Sequence, residues 1–335
     1  MKRYQKIIAV VSLGIFSFGA NAVPNVATDI TPVHSLVSQV MAGVGKPDLL
    51  VQSGASPHHY SLSPSEAEAL QEADLVFWIG EGLTPWLERS LENLSPDSKK
   101  IELLEAKGTT TYAFREGATF DAHDDNDLET EEETAHDTDD NDHEIEEETA
   151  HGTNEDAHHD HSGIDPHAWL DPANGKVWLD VIARALVEKD PENATKYLEN
   201  AAIGKAEIDA AISLIEATTV QFNSKQFIVF HDAYQYFERR FKIQAAGSIS
   251  ISDASKPSPA RIAEIIKVVA DLNVSCVFTE PQYNPGVVKA VFGGTGVNTT
   301  GVIDPLGSGL VIGVNLYPNL LIKIAEGLQS CLGEK

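Results

Sequence analysis

Seven histidines and nineteen aspartates or glutamates fall between Asp121 and His161, and no lysine or arginine occurs between Arg115 and Lys176. Imidazole nitrogens are good ligands for zinc, copper and nickel, and massed carboxylates raise the local cation concentration. His123, His136, His143, His151, His158, His159 and His161 therefore read as accessory metal ligands on a cation-attracting tract. The tract is a duplication: DDNDLETEEETAH at 124–136 returns as DDNDHEIEEETAH at 139–151. With few apolar residues it cannot bury enough surface to offset the entropy of ordering, so residues 121–161 read as a disordered acidic insert, not a domain. A solubilising tract is the plainer reading, but Asp and Glu alone would serve that purpose.

Five histidines lie outside the insert: His34, His58, His59, His167 and His231. His58 follows Ser56-Pro57 beyond a strand pattern that ends near Gln52. His167 sits in Asp165-Pro166-His167, and His231 ends an apolar run just before Asp232. One imidazole from each of three distant segments is what a closed site between two lobes needs. Three neutral imidazoles, with water or a carboxylate in the fourth position, make a tetrahedral zinc set. Taken singly, each reads as a hydrogen-bonded structural histidine. Glu280 and Asp304 stand at strand exits, where either can accept the distal N–H of a ligand histidine and fix its tautomer. His59 directly follows His58 in an extended turn, where neighbouring side chains point apart, so it reads as exposed. His34 opens a helix and reads as a packing residue, with a secondary ligand role as the alternative. Trp169 and Tyr236 read as core, with shielding of a metal as the alternative.

The elements that must position these residues alternate between strand and helix, the signature of an α/β fold. Strands are expected at Asp48–Gln52, Leu75–Ile79, Lys100–Leu103, Phe227–His231, Ile243–Ser250, Ser275–Glu280 and Gly301–Asp304. Helices are expected at Val33–Ala42, Pro64–Glu72, Pro85–Asn93, Tyr234–Arg240, Pro259–Leu272, Gly286–Phe292 and Leu316–Cys331. Asp171 or Asn174 can cap a further helix with an apolar stripe of Val177, Val181, Ile182, Ala185 and Leu186. From Pro191 to about Phe222 the chain is rich in Ala, Glu and Lys and periodic in Leu198, Ile208, Ile212 and Ile215, which reads as one long helix. The expected organisation is a lobe at 23–190 carrying the insert, a linking helix at 191–222, and a lobe at 223–335. Each lobe has a central, mostly parallel sheet flanked by helices and a core of its own, and a ligand binds in the cleft between them.

Lys2, Arg3 and Lys6 precede the apolar stretch Ile7 to Phe18, and Ala20-Asn21-Ala22 supplies small residues for cleavage. Residues 1–22 thus read as a secretory signal peptide, with a signal anchor as the alternative. No cysteine near Val23 is available to take a lipid, and the mature chain reads as a soluble monomer. The formal charge is −27, and without the nineteen carboxylates of the insert it is −8, so the acidity is local. Nucleic acid and anionic lipid are poor partners for such a surface. The two cysteines, Cys276 and Cys331, read as a bridge in an oxidising compartment, worth about 4 kcal/mol by the chain-entropy model. Two reduced, buried thiols are the alternative, and a metal-binding pair is weaker because no histidine stands beside either.

GASPHHYSLSPS (54–65), ADLVFWIG (73–80), DPHAWLDP (165–172), FIVFHDAYQYFERRF (227–241), CVFTEPQY (276–283), IDPLG (303–307) and the terminal SCLGEK together resemble the zinc-specific periplasmic solute-binding proteins of ABC transporters, the ZnuA family. The resemblance covers nearly all of the mature chain, and an acidic His-rich insert is itself a mark of this branch. It implies that His58, His167 and His231 bind Zn2+, that Asp304 occupies the position of a carboxylate ligand in related manganese proteins, and that Cys276 and Cys331 pair. It also implies a periplasmic location and delivery of the ion to an inner-membrane permease with a cytoplasmic ATPase. An auxiliary periplasmic zinc protein is a further candidate partner. One departure is Pro57, where some zinc members carry a Glu as a candidate fourth ligand. The fourth position then falls to water or to Asp304. A manganese receptor is the near rival, although manganese favours carboxylates and only Asp304 is a clear candidate. A zinc hydrolase is the rival of another class, against which stand the lack of HExxH and GxSxG patterns. A surface adhesin is a third class, and neither binding-module repeats nor a wall or lipid anchor encodes it.

Overall fold

Short β-branched and aromatic runs, each closed by a turn and followed by an amphipathic helix, build two parallel sheets in the computed structural model. It describes residues 23–115, 117, 119–120, 163–250, 257–283, 285–298 and 301–333. The expected leader at 1–22 and all seven insert histidines lie outside the described residues.

In the first lobe β1 (Val26–Thr28), β2 (Asp48–Leu49), β3 (Leu75–Trp78) and β4 (Lys99–Glu102) form a sheet of order β2-β1-β3-β4 with every pairing parallel. Helices α1 (Thr31–Val40), α2 (Pro64–Glu72) and α3 (Pro85–Leu94) alternate with them. After the insert come α4 (Pro172–Lys189) and α5 (Ala194–Thr219). In the second lobe β5 (Phe227–His231), β6 (Gly247–Ser250) and β7 (Cys276–Val277) run in the order β6-β5-β7, again parallel. They alternate with α6 (Gln235–Phe241), α7 (Pro259–Asp271) and α8 (Pro285–Phe292), and α9 (Leu316–Leu332) closes the chain. Parallel strands need such crossovers, and helices then cover both faces.

Local chemistry explains several boundaries. Ser63 caps α2 in a reciprocal box with Glu66, and Asp171 caps α4 by accepting from the Ala173 N–H at 2.8 Å. The helix expected at 191–222 is a short 3₁₀ turn, the 26 residues of α5, and a second 3₁₀ turn. At 1.5 Å per residue α5 is about 39 Å long. Its buried stripe is Tyr197, Ala201, Gly204, Ile208, Ala211 and Ile215, whereas Leu198 is 54% exposed and does not belong to it. The strand expected at Ile243–Ser250 shortens to β6 because Lys242 takes a left-handed φ of 54° to end α6. Gly301–Asp304 contributes only an isolated parallel bridge between Val302 and Thr279.

A core for each lobe is not what the packing shows. The largest apolar cluster runs through both, joining Val26, Phe77, Trp169 and Leu186 to Phe227, Phe237, Phe278 and Leu320. Smaller clusters line the remaining faces, one around Leu70, Trp78 and Leu87, the other around Phe230, Ile265 and Phe292. Tyr112, Phe114, Arg115 and Phe120 also link the lobes. Asp165 N–H donates to Tyr112 O and Phe114 N–H to Gly163 O, then Phe120 N–H donates to Ala246 O beside β6. Arg115, almost fully buried, pairs with both Asp232 and Glu238 of the second lobe. The Cys276–Cys331 disulfide ties β7 to α9 with a Cα separation of 6.1 Å. No helix among the described residues is long and apolar enough to cross a membrane.

Candidate metal site

Each of the three histidines is delivered by a different device. His58 lies on the loop between β2 and α2, and the preceding carbonyl, Pro57 O, accepts from the Trp86 indole at 2.7 Å, pinning the loop to α3. Glu66 adds to this by accepting from both Tyr60 and Gln52, so the α2 capping box also shapes the His58 loop. His167 stands just before a 3₁₀ turn, Ala168–Leu170, and is 4% exposed. His231 is the last residue of β5, at the carboxyl edge of the second sheet, and is 3% exposed.

Their rings converge. The centroid separation is 5.8 Å between His58 and His167 and 5.3 Å between His167 and His231. Two imidazoles sharing a tetrahedral zinc stand with centroids about 5 Å apart, given a Zn–N distance of about 2 Å. The rings approach without closing: among the described residues no three His, Cys, Asp or Glu side chains form a finished donor set. Between the rings is a cavity of about 270 Å3, counting the solvent at its mouth, lined also by Pro57, Trp169, Glu280, Gln282, Tyr283, Pro305 and Leu306. Both lobes supply its walls, and Trp169 reaches across to donate to Pro305 O at 2.7 Å.

In His167 and His231 one ring nitrogen is committed to a carboxylate. His167 Nδ1 lies 2.6 Å from Asp165 Oδ1, and His231 Nδ1 lies 2.7 Å from Glu280 Oε1. A carboxylate only accepts, so each Nδ1 carries the proton and each Nε2 carries the lone pair a metal needs. Both carboxylates are buried, and Asp165 is itself held by the Gln235 amide at 2.6 Å. Glu280 takes the role expected of it or Asp304, and the partner of His167 is Asp165, two residues earlier in the chain. The Tyr234 hydroxyl is pushed well above its usual range by burial and by the nearby charges of Glu280 and Asp304. That negative field suits a cation.

Asp304 is engaged elsewhere. Its Oδ1 accepts from Gln282 Nε2 and Leu306 N–H, and its Oδ2 from Ser308 N–H and Oγ, at 2.6 to 3.1 Å. It does not line the cavity. His59 is exposed and is not among the cavity residues. His34 is half-buried with Nε2 near Pro47 O and Nδ1 near Ser38 Oγ, so it packs locally. Tyr236 is core, donating to Asp165 O at 2.7 Å, while Trp169 is both buried and part of the cavity wall.

A solved structure of ZnuA superposes with a TM-score of 0.69, covering 91% of this chain and 98% of that one at 22% identity, which shows a shared fold. The high-affinity zinc uptake system protein ZnuA of Brucella suis is 45% identical over 309 residues, 92% of either chain. Its counterpart in Paracoccus denitrificans is 41% identical over 334 residues, 99% of either chain. The family model for the zinc-uptake complex component A, periplasmic, matches residues 26–331. With the match running from the first strand almost to the last residue of α9, the chain belongs to the ZnuA family of periplasmic zinc-uptake components.

Proposed function

We propose that this chain captures Zn2+ in the periplasm with His58, His167 and His231 and delivers it to an inner-membrane ABC permease driven by a cytoplasmic ATPase. The observation that carries the reading is the convergence of three imidazoles from three segments on one cavity, two of them oriented by buried carboxylates. Neutral nitrogen donors suit zinc, whereas manganese favours carboxylates, and Asp304 already accepts four hydrogen bonds. In this reading the aromatic- and proline-walled site holds an ion and the chain works as a monomeric receptor, not as a hydrolase. In this reading α5 is the core of a strut at 191–222 between lobes at 23–190 and 223–335. The histidines of 121–161 act as weaker accessory ligands that raise the local zinc concentration and offer a docking tract to an auxiliary periplasmic zinc protein.

Calorimetric zinc titration tests this with the mature chain, a deletion of 121–161, and the triple His58, His167, His231→Ala variant. One tight site lost only in the triple variant, with weaker sites lost only in the deletion, is the expected result. Tight binding that survives in the triple variant would overturn the assignment.

A further inference from the structure

We propose that Gln282 holds the water that completes the zinc coordination, and that Asp304 serves the site by aiming Gln282; this rests on the three-histidine reading above. Gln282 follows Glu280-Pro281 at the exit of the second sheet and lines the same cavity as the three imidazoles. Its two amide ends are distinguishable. Asp304 accepts from Gln282, from Leu306 N–H and from the Ser308 N–H and hydroxyl, so the end of Gln282 at 3.1 Å from Asp304 Oδ1 must be the NH2. The opposite end, Oε1, is buried and has no hydrogen-bond partner. An unsatisfied buried acceptor is costly, and it is relieved only by a donor.

The oriented histidines are not that donor. With Nδ1–H of His167 and His231 directed at Asp165 and Glu280, each Nε2 offers a lone pair. Water bound to a metal held by the histidines supplies an O–H group that can donate to this oxygen. A neutral carbonyl oxygen at that place also selects: it accepts from water and gives nothing to an anion. Asp304 becomes a positioning residue.

Cobalt(II) makes the fourth ligand visible. The full chain loaded with Co2+ would be titrated with sodium azide while the visible absorption is followed, alongside Gln282→Met and Gln282→Leu, each checked for folding by thermal melting. The expected result is that either variant binds azide about tenfold more tightly, from loss of the hydrogen bond that favours water. Zinc affinity falls by about 10- to 100-fold in parallel, as when other outer groups of a metal site are removed. Unchanged azide affinity and spectrum in both variants would overturn the role of Gln282 and leave the three-histidine site standing. Cobalt and zinc uptake unaffected by the triple histidine substitution would overturn both.

Discussion

Asp165 and Glu280 determine which nitrogen each histidine presents, and a metal reads that choice before it reads the imidazole itself. Asp165→Asn or Glu280→Gln keeps size but puts an amide donor within reach of Nδ1, freeing the ring to adopt the wrong tautomer. Each is expected to weaken zinc binding by about 10- to 100-fold with an unchanged far-ultraviolet dichroism spectrum, measured by competition with a chelating dye. Protons compete for the same lone pairs, so affinity should drop as pH is lowered from about 7.5 to 5.5, and dye competition across that range checks it. The convergence of the three histidines was legible because each sits at a strand exit or turn, where an α/β fold gathers side chains from distant segments. Gln282 was not, since the meaning of an amide depends on which end its neighbours turn outward. The hydrogen bonds of Asp304 were not legible either, since its donors, Gln282, Leu306 and Ser308, are set by the fold of two segments.

Strand β1 went unforeseen although it is a central strand of the first sheet, because three residues, Val26 to Thr28, are too few for any periodicity to declare itself. The long α5 was read almost to its ends, since seven turns of helix repeat the pattern often enough to average out an exposed Leu198. The β7–α9 tether tests how much of the second lobe rests on covalent closure. Reducing Cys276–Cys331, or replacing both with Ser, should cost about 4 kcal/mol for the loop of 55 residues, read as a lower denaturant midpoint, with the zinc site still formed. Strand β4 carries a different kind of strain. Burial, then the neighbouring charges of Glu105, Glu81 and Glu88, pushes the Glu102 carboxyl up to about 7 from 4.5. The folded state therefore holds this proton more tightly than the unfolded chain, and stability is lost as pH rises from about 4.5 through 7. Glu102→Gln should raise the melting temperature at pH 8, and the gain should vanish on acidification towards pH 5.

Closure by a wide hinge would have to break several connections at once. The lobes share one apolar core, are spanned by α5, and are stitched by the buried Arg115 pairs and the Phe120–Ala246 bond. Zinc uptake should thus leave the radius of gyration in small-angle scattering essentially unchanged, with only side chains and short loops adjusting. A contraction resolved on adding zinc would show that the shared core parts and re-forms. Composition suggested two separate cores because it cannot reveal that α9, last in the chain, packs back on α1 of the first lobe and on the linking helix α5. The antiparallel contact of Ala113 with Ile164 has a bearing on the history of the sequence. It fastens the chain on both sides of the His-rich tract, so the fold registers only that the two ends meet. Each doubling of such a loop costs about 0.6 kcal/mol, little enough that a thirteen-residue unit could be copied once, as 124–136 into 139–151, while His167, a few residues downstream, stayed in register. The length between the two anchors can therefore change while the residues on either side keep their places.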